Sequence, residues 1–114
     1  MIRVLVVEDD RLVRRALFRQ LTHAGYLVSV AASVRDASHC TNPPPDAVVS
    51  DFDLPDGNAI DVYNRLNEPK HFIVHTGNSE AYVPRTIPCF TKPDFAGVLE
   101  QLALWFSNTQ EQSQ

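Results

Sequence analysis

Only two cysteines occur in the 114 residues, Cys40 and Cys89, too far apart for a C-x-x-C pair or for metal-type spacing. That argues against a disulfide-stapled or zinc-built fold, and in a domain with a full core the pair reads as reduced thiols. Long apolar runs are missing as well. The start, Met1 to Val7, carries Arg3 and is too short for a membrane span or a signal peptide. The expected setting is therefore cytoplasmic, with no membrane partner. No basic stretch stands out, and a formal net charge of −4 argues against direct nucleic acid binding. Arg11, Arg14, Arg15 and Arg19 come nearest to a basic patch and read as the solvated face of one helix. His23, His39, His71 and His75 show no ligand spacing, and there is no internal repeat. What remains is one ordinary domain, 44% hydrophobic and 21% charged, large enough for a single core and too short for two.

Apolar periodicity lays out the elements. Ile2–Val7 is a run broken only by Arg3, as in a strand buried on both faces. Leu12, Val13, Ala16, Leu17 and Leu21 follow helical spacing over Arg11–Ala24, and Gly25 is a good stop. Tyr26–Ala31 predicts a second strand, and Ser33 the N-cap of a short helix to about Cys40. Asn42-Pro43-Pro44-Pro45 must be a stiff connector. Ala47–Ser50 follows as the third strand, Asn58–Leu66 as a helix, Phe72–His75 and Pro88–Thr91 as further strands, and Phe95–Phe106 as the closing helix. Strands alternating with helices give an α/β three-layer sandwich around a parallel sheet. Between Thr76 and Pro88 a helix is due. Gly77 and Pro84 leave room for about two turns at most, with no sustained apolar face, so Gly77–Ile87 predicts a loop or a single turn. Residues 1–107 form the domain, and the polar 108–114 reads as a tail or the start of a linker.

Acidic residues gather where these strands end. Glu8-Asp9-Asp10 follows the first, and Asp51 closes the third and opens Asp51-Phe52-Asp53-Leu54-Pro55-Asp56-Gly57. Like charges that close are costly unless a cation or a lysine compensates them, and Lys92, after the last strand, is well placed to do so. A hard divalent ion, Mg²⁺ or Mn²⁺, suits an oxygen set of this kind. Asp9 and Asp51 are candidate direct ligands, Glu8 a ligand through water, and Asp53 a ligand through its backbone carbonyl. A phosphoryl group in transfer needs its oxygens stabilised, for which the metal, Lys92 and the Thr76 hydroxyl are available. Asp51 would then be a carboxylate nucleophile. Taken singly these pieces are bland: Asp56-Gly57 is a turn signal, Glu8-Asp9-Asp10 is helix-start charge, and Lys92 is a surface lysine.

Together, Val6-Val7-Glu8-Asp9-Asp10, Asp51 to Gly57, His75-Thr76-Gly77 and Thr91-Lys92-Pro93 resemble, in order, the receiver domain of two-component response regulators. The likeness runs from Ile2 to about Phe106. It implies a chemotaxis-type, flavodoxin-like sheet with strand order 2-1-3-4-5, in which a ligand sits beyond the strand ends where the order reverses; receivers are themselves a type case of that rule. It also implies a phosphoprotein that catalyses only its own phosphorylation and dephosphorylation. A sensor histidine kinase or histidine phosphotransfer protein would be the donor, and an output domain or protein target the recipient. By this resemblance Glu8 and Asp9 are the acidic pair, Asp51 the phosphoacceptor, Thr76 the switch hydroxyl and Lys92 the phosphate contact. Asp53 and Asn78 border the path of the hydrolytic water and so set phosphoryl lifetime. Two departures stand out: the fourth helix is degenerate, and Cys89, beside Phe90, occupies the position of the family's aromatic switch residue. Cys89 itself is expected to be a buried small hydrophobe, and His75 a satisfied strand histidine.

Two further readings exist. Asp51-Phe52-Asp53-Leu54 also looks like the nucleophile and acid of haloacid dehalogenase phosphatases, but that family places its nucleophile on the first strand. It also needs a later acidic motif, which isolated Asp94 and Glu100 do not make. The second is a receiver-like interaction module independent of phosphorylation, suggested by the short 77–87 segment.

Overall fold

A computed structural model describes residues 1–112. Strand β1 (Arg3–Val7) buries Val4 through Val7 because it lies inside a sheet, between β2 (Leu27–Ala31) and β3 (Ala47–Ser50). A two-residue hairpin, β4 (Asp53–Leu54) and β5 (Gly57–Asn58), follows β3. The main sheet then continues with β6 (Phe72–Thr76) and ends on β7 (Cys89–Thr91). All five main strands are parallel, in the order β2-β1-β3-β6-β7. With the hairpin set aside, this is the doubly wound 2-1-3-4-5 order.

Helices cover both faces. Leu17 and Leu21 of α1 (Arg11–His23) and Val98, Leu102 and Phe106 of α4 (Phe95–Gln112) pack with Val4, Val6, Val49 and Ile73. On the other face, Val34 and Ala37 of α2 (Val34–Ser38) and Ala59 and Val62 of α3 (Ala59–Arg65) pack with Leu5, Val7, Val48 and Phe72. Local chemistry sets the ends of these helices. Asp10 caps α1 by accepting from the Leu12 and Val13 N–H groups at 2.9 and 3.2 Å. Ala24 closes that helix, and Gly25 turns the chain at φ 101°, a conformation that favours glycine. Ser33 caps α2 as its position in the sequence predicts, and Asn58 opens α3 in a capping box with Asp61.

Most boundaries move by one residue or so, and three of the shifts can be traced to the local chain. The chain enters β2 at Leu27, one residue after Tyr26, which packs into the α1/α4 core instead. Helix α2 ends at Ser38, short of Cys40. Helix α4 continues to Gln112, since no glycine or proline follows Phe106 to stop it. The final two residues of the 108–114 tail lie outside the described residues.

No helix forms between Thr76 and Cys89. The chain makes two reverse turns, with the Ala81 N–H donating to Asn78 O at 3.2 Å and the Ile87 N–H to Pro84 O at 3.0 Å. Buried Ile87 and half-buried Val83 pack on the core side of Phe72 and Val74, where a helix would otherwise lie. One expectation fails here. Cys89 is exposed, not buried, because β7 is an edge strand and the irregular segment does not cover it. Both cysteines are free.

Candidate phosphoacceptor site

The backbone ladder runs one step past the strands and delivers the acidic side chains. The Glu8 N–H donates to Ala31 O at 2.9 Å, the Asp51 N–H to Val7 O at 2.8 Å, and the Lys92 N–H to Thr76 O at 2.9 Å. Each of the five strand ends is thereby tied to a neighbour, and those of β1, β3, β6 and β7 surround one small volume. Glu8 and Asp51 are buried there, while Asp9 is exposed at the mouth. Carboxylate oxygens of Glu8, Asp9 and Asp51 all lie within 4.8 Å of one another. Lys92 Nζ stands 2.7 Å from Glu8 Oε1 and 2.9 Å from Asp51 Oδ2.

The acidic triplet of the sequence divides its work. Asp10 caps α1, leaving Glu8 and Asp9 to the site. Burial pushes the Glu8 carboxyl up to about 7, against the pull of Lys92 and of the Asp10 N–H, while Asp51 adds to the rise. Burial works against the Lys92 ammonium, but its hydrogen bonds to Glu8 and Asp51 outweigh that and raise it above its ordinary value. Lys92 is thus the built-in counter-charge for two buried acids. An all-oxygen set with one exposed carboxylate suits Mg²⁺, which keeps part of its water shell.

Thr76 is buried at the end of β6, and its Oγ1 accepts from the Asn78 N–H at 3.0 Å. Asn78 Nδ2 donates in turn to Asp53 Oδ2 at 3.0 Å, so the two residues assigned to phosphoryl lifetime touch each other at the rim. Asp53 adds no carboxylate to the cluster. Phe90 turns into the α1/α4 core, whereas its neighbour Cys89 faces outward.

Other contacts have little signal in the sequence. The Arg14 guanidinium donates to the carbonyls of Glu8 and Asp9 at 2.9 and 3.3 Å, gripping the strand end that the acids leave. Asp94 Oδ1 accepts from the Gly97 N–H at 2.8 Å at the start of α4. Asp56 reaches across to α2 and accepts from the Val34 and Arg35 N–H groups at 2.8 and 3.0 Å. Only the Asp94 contact, an acid three residues before a helical N–H, has a recognisable local pattern.

The sequence pattern of the response regulator receiver domain matches residues 4–87, most of the chain. The chain belongs to that family. Lys92 lies beyond the matched stretch, so its place in this receiver rests on geometry. Among curated relatives, response regulator MprA of Mycolicibacterium vanbaalenii is 41% identical over 66 residues, covering 57% of this chain and 29% of MprA. The matched stretch therefore spans under a third of the length of such relatives. Among solved structures, a CheY-like receiver domain protein from Methanospirillum hungatei superposes with a TM-score of 0.78 at 19% identity, over 98% of both chains. The non-phosphorylated HemR receiver domain from Leptospira biflexa gives 0.75 at 26% identity, over 90% of this chain and 91% of that one. The fold is shared even though the segment between β6 and β7 lacks a helix. Among the described residues no helix is long and apolar enough to cross a membrane.

Proposed function

We propose that this receiver accepts a phosphoryl group on Asp51 from a sensor histidine kinase or a histidine phosphotransfer protein and relays it through protein contacts. The carrying observation is Lys92 Nζ bridging Glu8 and Asp51 beside a third clustered carboxylate. A lysine held by two acids is poised to turn to an incoming phosphoryl group, whose oxygens offer more charge than one carboxylate. Glu8, Asp9 and Asp51, with the Asp53 carbonyl, would hold Mg²⁺. When bound, that ion draws charge from the transferring phosphoryl oxygens. Asp51 attacks the phosphorus with a carboxylate oxygen, breaking the bond from phosphorus to the donor histidine nitrogen and forming an aspartyl phosphate. Lys92 and the Thr76 hydroxyl stabilise the phosphoryl oxygens. Asp53 and Asn78, joined at the rim, gate the water that later hydrolyses the product. The recipient is an output domain or target protein, and the setting is the cytoplasm.

The test is transfer from a phosphorylated histidine donor to wild type, Asp51→Asn and Lys92→Ala in the presence of Mg²⁺. Label on wild type, none on Asp51→Asn and slowed labelling of a folded Lys92→Ala support the reading. Stoichiometric label on Asp51→Asn refutes it.

A further inference from the structure

His75 is buried at 1% exposure on β6, directly before the switch threonine, and none of the roles above uses it. Its Nε2 accepts a hydrogen bond from the Asp94 N–H at 3.1 Å. A ring nitrogen that accepts carries no proton, so the neutral imidazole holds its hydrogen on Nδ1. That Nδ1 has no hydrogen-bond partner among the described residues. Burial pushes the imidazole down from its ordinary value, with Lys92 adding to the fall against Asp51 and Asp94, which favours the neutral ring. The ring packs on Phe95, with centroids 5.6 Å apart. A residue kept at this point for packing alone would be apolar, because a buried donor left unpaired is costly. Here that cost accompanies one specific gain, an acceptor aimed at the Asp94 N–H.

The gain falls on Lys92. Its turn is held at both ends by consecutive residues of β6: Thr76 O takes the Lys92 N–H, and His75 Nε2 takes the Asp94 N–H two residues on. Asp94 is fixed in turn by the Gly97 N–H. A Cβ at position 97 would collide with the Asp94 carboxylate and the Phe90 ring, so this corner has no slack. A side-chain anchor inside a rigid knot sets where the lysine stem starts, and sub-ångström placement of a charge over a reacting phosphoryl group affects rate strongly.

We propose that His75 is a positioning residue which, through its Nε2 bond to the Asp94 backbone, holds Lys92 over Asp51 for phosphoryl transfer. This rests on the reading of Asp51 as the acceptor. Loss of the bond should lower the rate of transfer without changing how the donor binds, since His75 is buried and offers a donor no surface.

The test uses the full chain with acetyl phosphate and Mg²⁺, comparing wild type, His75→Phe and His75→Gln. In His75→Phe the phosphorylation rate at saturating donor should fall about tenfold to a hundredfold, with half-saturation and folded state retained. In His75→Gln the side-chain amide oxygen reaches where Nε2 stood, so most of the rate should return. A wild-type ¹⁵N spectrum should show Nδ1 protonated and Nε2 bare. A folded His75→Phe with wild-type rate, a His75→Gln as slow as His75→Phe, or a proton on Nε2 in wild type would each overturn the inference. Should His75→Phe fail to fold, the wild-type tautomer decides. If wild type takes no phosphoryl group, the acceptor reading itself falls and this inference with it.

Discussion

Glu8 shares one lysine with Asp51 in a space almost closed to solvent, and it answers by holding its proton to about 7. A cation held at this cluster would compete with that proton. As pH falls through about 7 the Glu8 carboxyl takes up its proton and would compete with the metal. Mg²⁺ affinity should therefore rise as pH increases from about 6 to about 8 and then level off. Titration calorimetry at several pH values checks this, and an affinity flat across that window would show that Glu8 takes no part. At the rim, Asn78 holds Asp53 through a single side-chain bond. Asn78→Ala frees that carboxylate and should change the aspartyl-phosphate half-life on the order of tenfold while leaving the melting temperature nearly unmoved. Glu8 and Asp51 were legible because each sits one or two places past an apolar run, whereas Asp53 and Asn78 were picked out by the family resemblance alone. The sequence could not display the bond between Asn78 and Asp53, which is made across 25 residues by a turn no local pattern specifies. Nor did the Arg14 grip show: by helical spacing alone Arg14 belongs with Arg11 and Arg15 on the solvated face.

Helix α2 is only five residues long, too short to stand on propensity. Its first N–H groups are taken by Ser33 from within and by Asp56 from the β4–β5 turn. Those bonds from Arg35 and Val34 lower the Asp56 carboxyl below its ordinary value. A depressed carboxyl contributes stability above its unfolded value of 3.8 and loses it as pH falls through the folded one. Asp56→Asn should thus be less stable than wild type near neutrality, and the gap should close under acid; denaturant curves at two pH values measure it. A gap that persists in acid would mean that the carboxylate charge is not what matters. The segment from Gly77 to Ile87 is a different kind of element. Its glycine and prolines were legible, and so was its lack of helix. The exposure of Cys89 was not, since it depends on what fails to cover an edge strand. With Ile87 as its one buried residue, this segment should open easily. Binding of beryllofluoride, a phosphoryl mimic, should change hydrogen-exchange protection across 77–87 first, through Thr76. Unchanged protection there would place the response elsewhere.

At the scale of the whole molecule, the strand order does the gathering. β1 and β3 are neighbours with β6 and β7 beyond them, so four motifs spread over more than eighty residues of sequence meet above one sheet edge. Alternating elements made the layered α/β fold readable, whereas the strand order and the expected site came from the resemblance of the four motifs to the receiver family. The two-sided core holds the sheet rigid. Leu102, fully buried against β1, β3 and β6 residues, should cost about 2–5 kcal/mol as Leu102→Ala, measured by urea unfolding. The central claim concerns one atom on this frame, a carboxylate oxygen of Asp51. Wild-type protein incubated with acetyl phosphate and Mg²⁺, then reduced with borohydride, converts an acyl phosphate into the alcohol of its side chain. Peptide mapping should then find homoserine at position 51 alone, dependent on the metal and on the phosphodonor. No reduced residue, or homoserine at position 9 or 53 in place of 51, would contradict the account.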